Sequence, residues 1–523
     1  MDGSDSTPAP APAQSAQALF ERPIFADPEA RRLRRVGVVD VGSNSVRLVV
    51  FDGAARSPAY FFNEKVMAGL GAGLKETGRL NPEGRRRALS ALLRFQRIGE
   101  GLGITPLTAV ATAAVREAVD GPEFVEEVKA RTGMEVHVID GREEARFSAQ
   151  GVLLGWPEAE GLVCDLGGSS MELAEIGEGR VGRRVSTGLG PLTLKGLKGG
   201  RKARRQMIRT TLKGLAAEFG TGHRRIFLVG GSWRAIARID MERRGYPLKV
   251  LHEYRMKRKS ARATIHFIAD HDIDELRAMT GIGEARMALV PIAAEVLSGI
   301  VEVLGPKDIA ISSYGIREGL LYEQMPERIR RRDPLIEAAR FAEYKDARQP
   351  GFGRALHRFI LPIFRAARPD RARLIRAACH LHDVTWRAHP DYRHEACFDY
   401  VTRANLAALD HRERVFLGLA LLHRYKNSRA ETRLTPLLKL LDDDEIREAE
   451  VLGKAMRFGA MLSVDDPDKM GSLAWYPKKR VLELRLTPHA TDLFGEVAEA
   501  RFNSLAASLK ARTEVKVANR PER

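Results

Sequence analysis

One pattern occurs twice, and the two copies constrain the fold more than any other feature of the chain. The first, Val39-Asp40-Val41-Gly42-Ser43-Asn44-Ser45-Val46-Arg47-Leu48, passes from an apolar segment through an acid and a small polar turn into a second apolar segment. The second is Cys164-Asp165-Leu166-Gly167-Gly168-Ser169-Ser170-Met171-Glu172-Leu173, in which Asp165, Gly167, Ser170 and Leu173 fall at the offsets of Asp40, Gly42, Ser45 and Leu48. Each copy reads as two short strands joined by a tight turn. Turn residues with little or no side chain let backbone N–H groups close on an anion. Acids beside such a turn make sense where a divalent metal sits between carboxylate and phosphate. Gly42, Ser43, Asn44, Ser45, Gly167, Gly168, Ser169 and Ser170 are therefore candidate phosphate ligands, and Asp165, Glu172 and Asp40 candidate metal ligands. Where the second copy carries Glu172 the first carries Arg47, a further phosphate candidate. A pair of ordinary surface hairpins explains either copy alone; the match between them favours phosphate.

The segments between the copies read as alternating strands and helices. After the first hairpin, Ala59 to Val66 reads as a third strand, and the glycine-rich Met67 to Lys75 as a flexible loop that fits neither common nucleotide-loop pattern. Asn81-Pro82 caps a helix to about Gly101, and Leu107 to Ala111 is a buried strand. Arg116 stands near a helix start, where it reaches either a phosphate or solvent. Val136 to Asp140 is a strand, and Arg142-Glu143-Glu144-Ala145-Arg146 opens a helix. Adjacent helical residues diverge by about 100°, so only one of Glu143 and Glu144 faces a given site. After the second hairpin come a strand near Arg180 to Ser186, a helix around Arg204 to Phe219 and a strand Arg225 to Val229. That strand enters Gly230-Gly231-Ser232-Trp233-Arg234, a turn-to-helix junction of the kind that holds nucleotide phosphates or simply turns the chain.

The two repeats resemble the phosphate loops of the exopolyphosphatase/guanosine pentaphosphatase family, part of the actin, Hsp70 and sugar-kinase superfamily of duplicated domains. Further stretches resemble its motifs in order: Ala111-Thr112 to Arg116, Gly141 to Arg146, Gly230 to Ala235, and Tyr314-Gly315-Ile316-Arg317-Glu318-Gly319. The resemblance implies an α/β half of two ribonuclease H-like lobes with Glu144 as catalytic base, aided by Arg116. It also implies that Gly230, Gly231, Ser232 and Arg234 hold the nucleotide if there is one. Many relatives carry an arginine near the position of Thr193, a contact this chain lacks unless Lys195 supplies it.

The length of 523 residues suits several domains. The reading is a disordered leader 1–33, lobes at 34–155 and 156–325, a mainly helical domain 326–465 and a small α/β end 466–523. Eight of the thirteen histidines lie between His357 and His489, and His357, His382-Asp383, His394 and His423 resemble an HD-type hydrolase. The resemblance implies a form of that fold that has lost its activity; a structural or substrate-channel role is expected here, with a metal site as the lesser alternative. The net charge of 85 − 68 = +17 suits a polyanionic partner. Aromatic residues make up 7% and do not interleave with the basic clusters, which speaks against single-stranded nucleic acid. Arg201, Lys202, Arg204 and Arg205 are candidates for a track along a phosphate chain. Three cysteines are too few for a disulfide framework, no apolar run is long enough for a bilayer, and the start lacks signal-peptide character, so a cytoplasmic protein is expected. Inorganic polyphosphate or guanosine pentaphosphate is the expected substrate, with a non-catalytic sensor that binds polyphosphate or an alarmone nucleotide as the alternative; Mg²⁺ or another divalent metal is the expected cofactor and a homodimer the expected assembly.

Overall fold

The computed structural model describes residues 35–52, 56–104, 107–428 and 434–518. The leader expected at 1–33 lies outside them. Two sheets carry the duplication. The first has strands β1 (Val36–Val41), β2 (Val46–Phe51), β3 (Tyr60–Val66), β4 (Thr108–Ala111) and β5 (Val136–Val138), in the order β3-β2-β1-β4-β5. The second has β6 (Gly161–Leu166), β7 (Met171–Gly177), β8 (Arg180–Thr187), β9 (Arg225–Val229), β10 (Arg255–Lys257) and β11 (Asp308–Ser312), in the order β10-β11-β9-β6-β7-β8. Read from its far edge, β8-β7-β6-β9-β11 repeats the first sheet, with two antiparallel and then two parallel pairings, and β10 is added at the end. The repeat seen in ten residues of sequence is therefore a repeat of whole sheets.

Each hairpin turn closes in the same way, Gly42 N–H to Ser45 O at 3.0 Å and Gly167 N–H to Ser170 O at 3.1 Å. Strands buried on both faces, such as Val36–Val41 and Gly161–Leu166, hold these turns at one edge of each sheet. The stretch 67–75, expected to be a flexible loop, is instead a strap on the first turn. Gly69 N–H donates to Asn44 O at 3.1 Å and Gly71 N–H to Ser43 O at 2.8 Å. Its glycines serve close approach: a Cβ on Gly71 would stand 3.1 Å from Ser43 Cβ.

The lobes meet through two helices, Gly141–Gly155 and Ile316–Gln324, whose backbones touch. A Cβ on Gly151 would lie 2.2 Å from Gly315 O, and one on Gly319 would lie 1.8 Å from Phe147 O. One apolar core, containing Val38, Phe147, Val163, Phe227, Ala310 and Leu320, runs through both sheets and both helices. The lobes thus share a core, which fixes their facing edges against each other.

The rest is helical as far as Leu462, followed by a three-stranded sheet: β12 (Gly471–Tyr476), β13 (Val481–Leu486) and β14 (Arg512–Val517). The last strand had no sequence signal; its polar TEVK centre lies mostly open to solvent and pairs in parallel with β13. A single core joins Leu335 through Leu462 to Leu473 through Ala506, so the helical part and the α/β end pack as one body. The HD-like residues do not converge on a metal. Asp383 is held by Arg348 at 2.6 Å, His382 Nδ1 faces Cys379 O at 3.0 Å, and His394 Nε2 meets Lys426 Nζ at 3.2 Å. Among the described residues no helix is long and apolar enough to cross a membrane.

Gly319→Ala tests the helix contact. Alanine raises helix propensity by about 1 kcal/mol, whereas forcing the two backbones apart costs about 1–3 kcal/mol or more. Steric cost wins, and urea denaturation is expected to show net destabilisation; a neutral or stabilised variant would mean that the helices part freely.

Candidate active site

The candidate site begins at the start of the Gly141–Gly155 helix. Asp140 caps it, accepting from Glu143 N–H at 2.8 Å, while Glu143 Oε2 accepts from Asp140 N–H at 3.2 Å. That reciprocal pair uses Glu143 outside the site. Glu144, one step round the helix, turns inward and is 5% exposed. One turn on, Ser148 Oγ donates to Asp165 Oδ2, so the helix that carries Glu144 also orients the acid of the second hairpin. Glu172, opposite Asp165 in the hairpin register, accepts from Ser186 Oγ of β8 at 2.7 Å.

Asp40, Glu144, Asp165 and Glu172 crowd one buried region, and the crowding shows in their proton affinities. Burial raises the Glu144 carboxyl well above its usual range, and the charges of Glu172 and Asp165 add to it. Burial and the Asp165 charge raise Glu172 likewise. Asp165 is pushed up to about 6 by burial, against the Ser148 hydrogen bond, and burial also raises Asp40 despite Arg317 and Arg47. Glu144 Oε2 and Glu172 Oε2 are buried without a hydrogen-bond partner.

The cleft above them has a volume of about 200 Å³. Both turns line it, through Gly42 to Ser45 and through Gly167, Gly168 and Ser170, together with Asp40, Glu144 and Asp165. The turns touch across the lobes, Ser169 Oγ donating to Ser43 Oγ at 3.2 Å. Backbone N–H groups of Ser43, Asn44, Gly168 and Ser169 donate to no backbone acceptor among the described residues. Gly230, Gly231, Ser232 and Arg234 line the same cleft, so the turn at β9 and the two hairpins form one site. At Gly230 the backbone has φ 120°, and a Cβ would stand 2.6 Å from Leu166 O, so glycine is required there.

Some expected residues sit elsewhere. Glu172 and Arg116 are not among the residues that line the cleft. Arg116 Nη1 donates to Ile139 O at 2.6 Å and stands 3.7 Å from Glu144 Oε2, which makes it a neighbour of the glutamate more than a phosphate ligand. Thr193 Oγ1 donates to Ser169 O at 2.7 Å and so braces the second turn, while Lys195 is exposed and outside the cleft lining. Arg204 is bound bidentately by Glu295, at 3.1 and 3.2 Å, and Arg201 stands 3.4 Å from the same acid. Arg201, Lys202 and Arg205 border a depression of their own on the outer helix Gly200–Phe219, apart from the cleft lining.

The cations that do face the cleft are Arg47, Lys65, Arg234, Arg286 and Arg317. Three of them had no assigned role in the sequence. Lys65 pairs with Arg47 in the β2–β3 register, which brings two like charges together on one sheet edge. Burial, followed by the charges of Arg286 and Arg234, pulls the Lys65 ammonium down to about 8. Arg317 lies in the motif Gly315 to Gly319; it is 9% exposed and its Nε has no hydrogen-bond partner. Arg286 had no sequence signal, because only the fold brings its short helix, Glu284–Met287, against Gly231. Carboxylates below, amide groups without backbone acceptors at the turns and five cations around the walls make a cleft whose charge suits a multiply charged anion.

Comparison with known proteins agrees. The Ppx/GppA phosphatase family model matches residues 49–328, and the model for the C-terminal part of exopolyphosphatases matches 348–515. The chain is 24% identical over 438 residues to Retrograde regulation protein 2 of Saccharomyces cerevisiae, covering 74% of this chain and 72% of that one. It is 26% identical over 312 residues to Exopolyphosphatase 1 of Mycobacterium tuberculosis, covering 56% and 88%. Its fold is similar to the crystal structure of an exopolyphosphatase from Cytophaga hutchinsonii, with a TM-score of 0.51, 23% identity and coverage of 56% and 98%. The chain therefore belongs to the Ppx/GppA phosphatase family.

Proposed function

We propose that the cleft binds the end of an inorganic polyphosphate chain and hydrolyses its terminal phosphoanhydride bond, releasing orthophosphate. The observation that carries this is Glu144, a buried glutamate whose Oε2 makes no hydrogen bond, in a cleft lined by two phosphate-type turns. The turns at 42–45 and 167–170 hold terminal phosphoryl oxygens through their N–H groups. Glu144 takes a proton from a water as its oxygen bonds to phosphorus, the anhydride P–O bond breaks, and the shortened chain leaves with the electron pair. Arg47, Arg234 and Arg317 offset the charge that develops on the leaving oxygen. Guanosine pentaphosphate is the competing substrate; the family includes enzymes named for both.

The donor set fits a divalent metal. Among the described residues no three acids, histidines or cysteines form a closed cage. Mg²⁺, however, usually takes one or two carboxylates and completes its shell with water and phosphate oxygens. Asp165 and Asp40 line the cleft and would hold it, and Glu172, outside that lining, would orient its waters. Bound there, Mg²⁺ supplies charge neutralisation at the phosphoryl oxygens.

Two measurements test the site. Glu144→Gln is expected to lower orthophosphate release from long-chain polyphosphate by about 10²–10⁴-fold while leaving chain binding within a few-fold; equal loss of both would remove Glu144 from the base role. The second is pH-dependent stability of the metal-free protein. A carboxyl raised on folding holds its proton more tightly in the folded state, so it costs nothing below its unfolded pKa and increasingly more as the pH rises toward its folded one. Glu172→Gln is therefore expected to raise the melting temperature more at pH 8 than at pH 5, and a gain that shrinks with rising pH would contradict the buried-carboxylate picture.

A further inference from the structure

A second concave cluster lies in the helical half, with no residue in common with the cleft. Three helices converge on it: Pro334–Asp346 with Arg340, Phe352–Ile360 with Arg354 and His357, and Pro369–Leu381 with Arg376 and His380. These five side chains, all basic, line a pocket of about 320 Å³. The convergence is built into the packing at Gly353, where a Cβ would stand 2.7 Å from Cys379 O and 2.8 Å from Glu343 Oε1.

The acid nearest the cluster is already engaged. Glu343 is 3% exposed; its Oε1 accepts from Gly353 N–H at 2.6 Å and its Oε2 meets His380 Nδ1 at 2.6 Å. That leaves only Nε2 of His380 for a ligand. Arg340 has a long contact to Glu337, at 3.4 Å. Among the described residues the side chains of Arg354, Arg376 and His357 make no ion pair or hydrogen bond. The His357 ring is half-buried, and its proton affinity is depressed first by burial and then by Arg376 and His380. Surface arginines are ordinarily splayed into water or paired with acids. Here three arginines and a half-buried, partnerless imidazole border one hollow with no acid in its lining, an arrangement that gathers positive charge in one place and suits an anion.

The geometry points to an oxyanion site in this pocket, one that takes a tetrahedral phosphoryl group through Arg354, Arg376 and His357, separate from the cleft. Arginine forks match two phosphoryl oxygens each, and imidazole donates to a third. The same chemistry is offered by free orthophosphate and by a phosphoryl unit of a short chain, and the pocket's volume admits either.

The test is calorimetric titration of the full chain with orthophosphate and, separately, with tripolyphosphate at pH 7. Three proteins are compared: the wild type, Arg354→Gln/Arg376→Gln, and the charge-matched control Lys478→Gln/Lys479→Gln at an exposed turn. The wild type is expected to show two classes of binding. The arginine variant should lose one of them, weakened about tenfold or more, and keep the other along with its rate of phosphate release. Loss with both ligands identifies a site for a single phosphate, and loss with tripolyphosphate alone a site for chain segments; either supports the proposal. Unchanged binding in the arginine variant, or an equal loss in the lysine control, overturns it. Both arginines are exposed and unpaired, so the substitutions leave the helix packing intact.

Discussion

Four carboxylates share one buried region at the base of the cleft, and their mutual repulsion governs what is built around it. Removing a single carboxylate from water already costs several kcal/mol, and like charges nearby add to that. The structure meets the cost in three ways. Hydroxyls of Ser148 and Ser186 bond Asp165 and Glu172. Arg317 and Arg47 lie close enough to Asp40 to lower its proton affinity. What remains uncompensated raises the proton affinity of all four groups, most of all at Glu144 and Glu172. A site strained in this way is poised for a cation and a polyanion that arrive together.

Such a cluster needs a rigid frame, and the duplicated lobes supply it. Each lobe brings one turn to the cleft, and the shared core with the glycine contact between the two central helices prevents the turns from drifting apart. Glu144 and Ser148 lie on one of those helices and Arg317 on the other, so the helix crossing that holds the lobes together also sets the acid–base geometry. The helical half is anchored to this frame by polar contacts: His411 Nε2 meets His252 O at 3.1 Å, and Tyr314 OH donates to Asn405 Oδ1 at 3.3 Å.

Much of this was legible in the sequence because it is local. The two turns and the Asn81 cap follow from a few adjacent residues, and Asn81 Oδ1 does accept from Gly84 N–H at 2.8 Å; adjacent residues showed only that one of Glu143 and Glu144 faces inward, and the choice of Glu144 came from the family resemblance. Contacts between distant segments were not legible. Arg286 and Lys65 reach the cleft only because sheet order brings them there, and Arg204 is diverted to Glu295 by a helix 91 residues away. The glycine-rich strap misled for the opposite reason: glycine signals freedom in sequence but close approach in a packed fold, and composition does not separate the two. The last strand, β14, was hidden because it is a short, largely exposed edge in which only Val515 and Val517 are apolar.

Burial and mutual repulsion raise the proton affinity of Glu144 and Glu172 most, and a metal and phosphate entering the cleft are expected to release their protons. Infrared difference spectroscopy at pH 7 tests it directly, comparing metal-free protein before and after addition of Mg²⁺ and orthophosphate. The predicted result is a protonated-carboxyl C=O band in the free protein that is lost on addition and is reduced beforehand in Glu172→Gln. A free protein with no such band, or a band that persists when Mg²⁺ and phosphate are bound, would contradict the account.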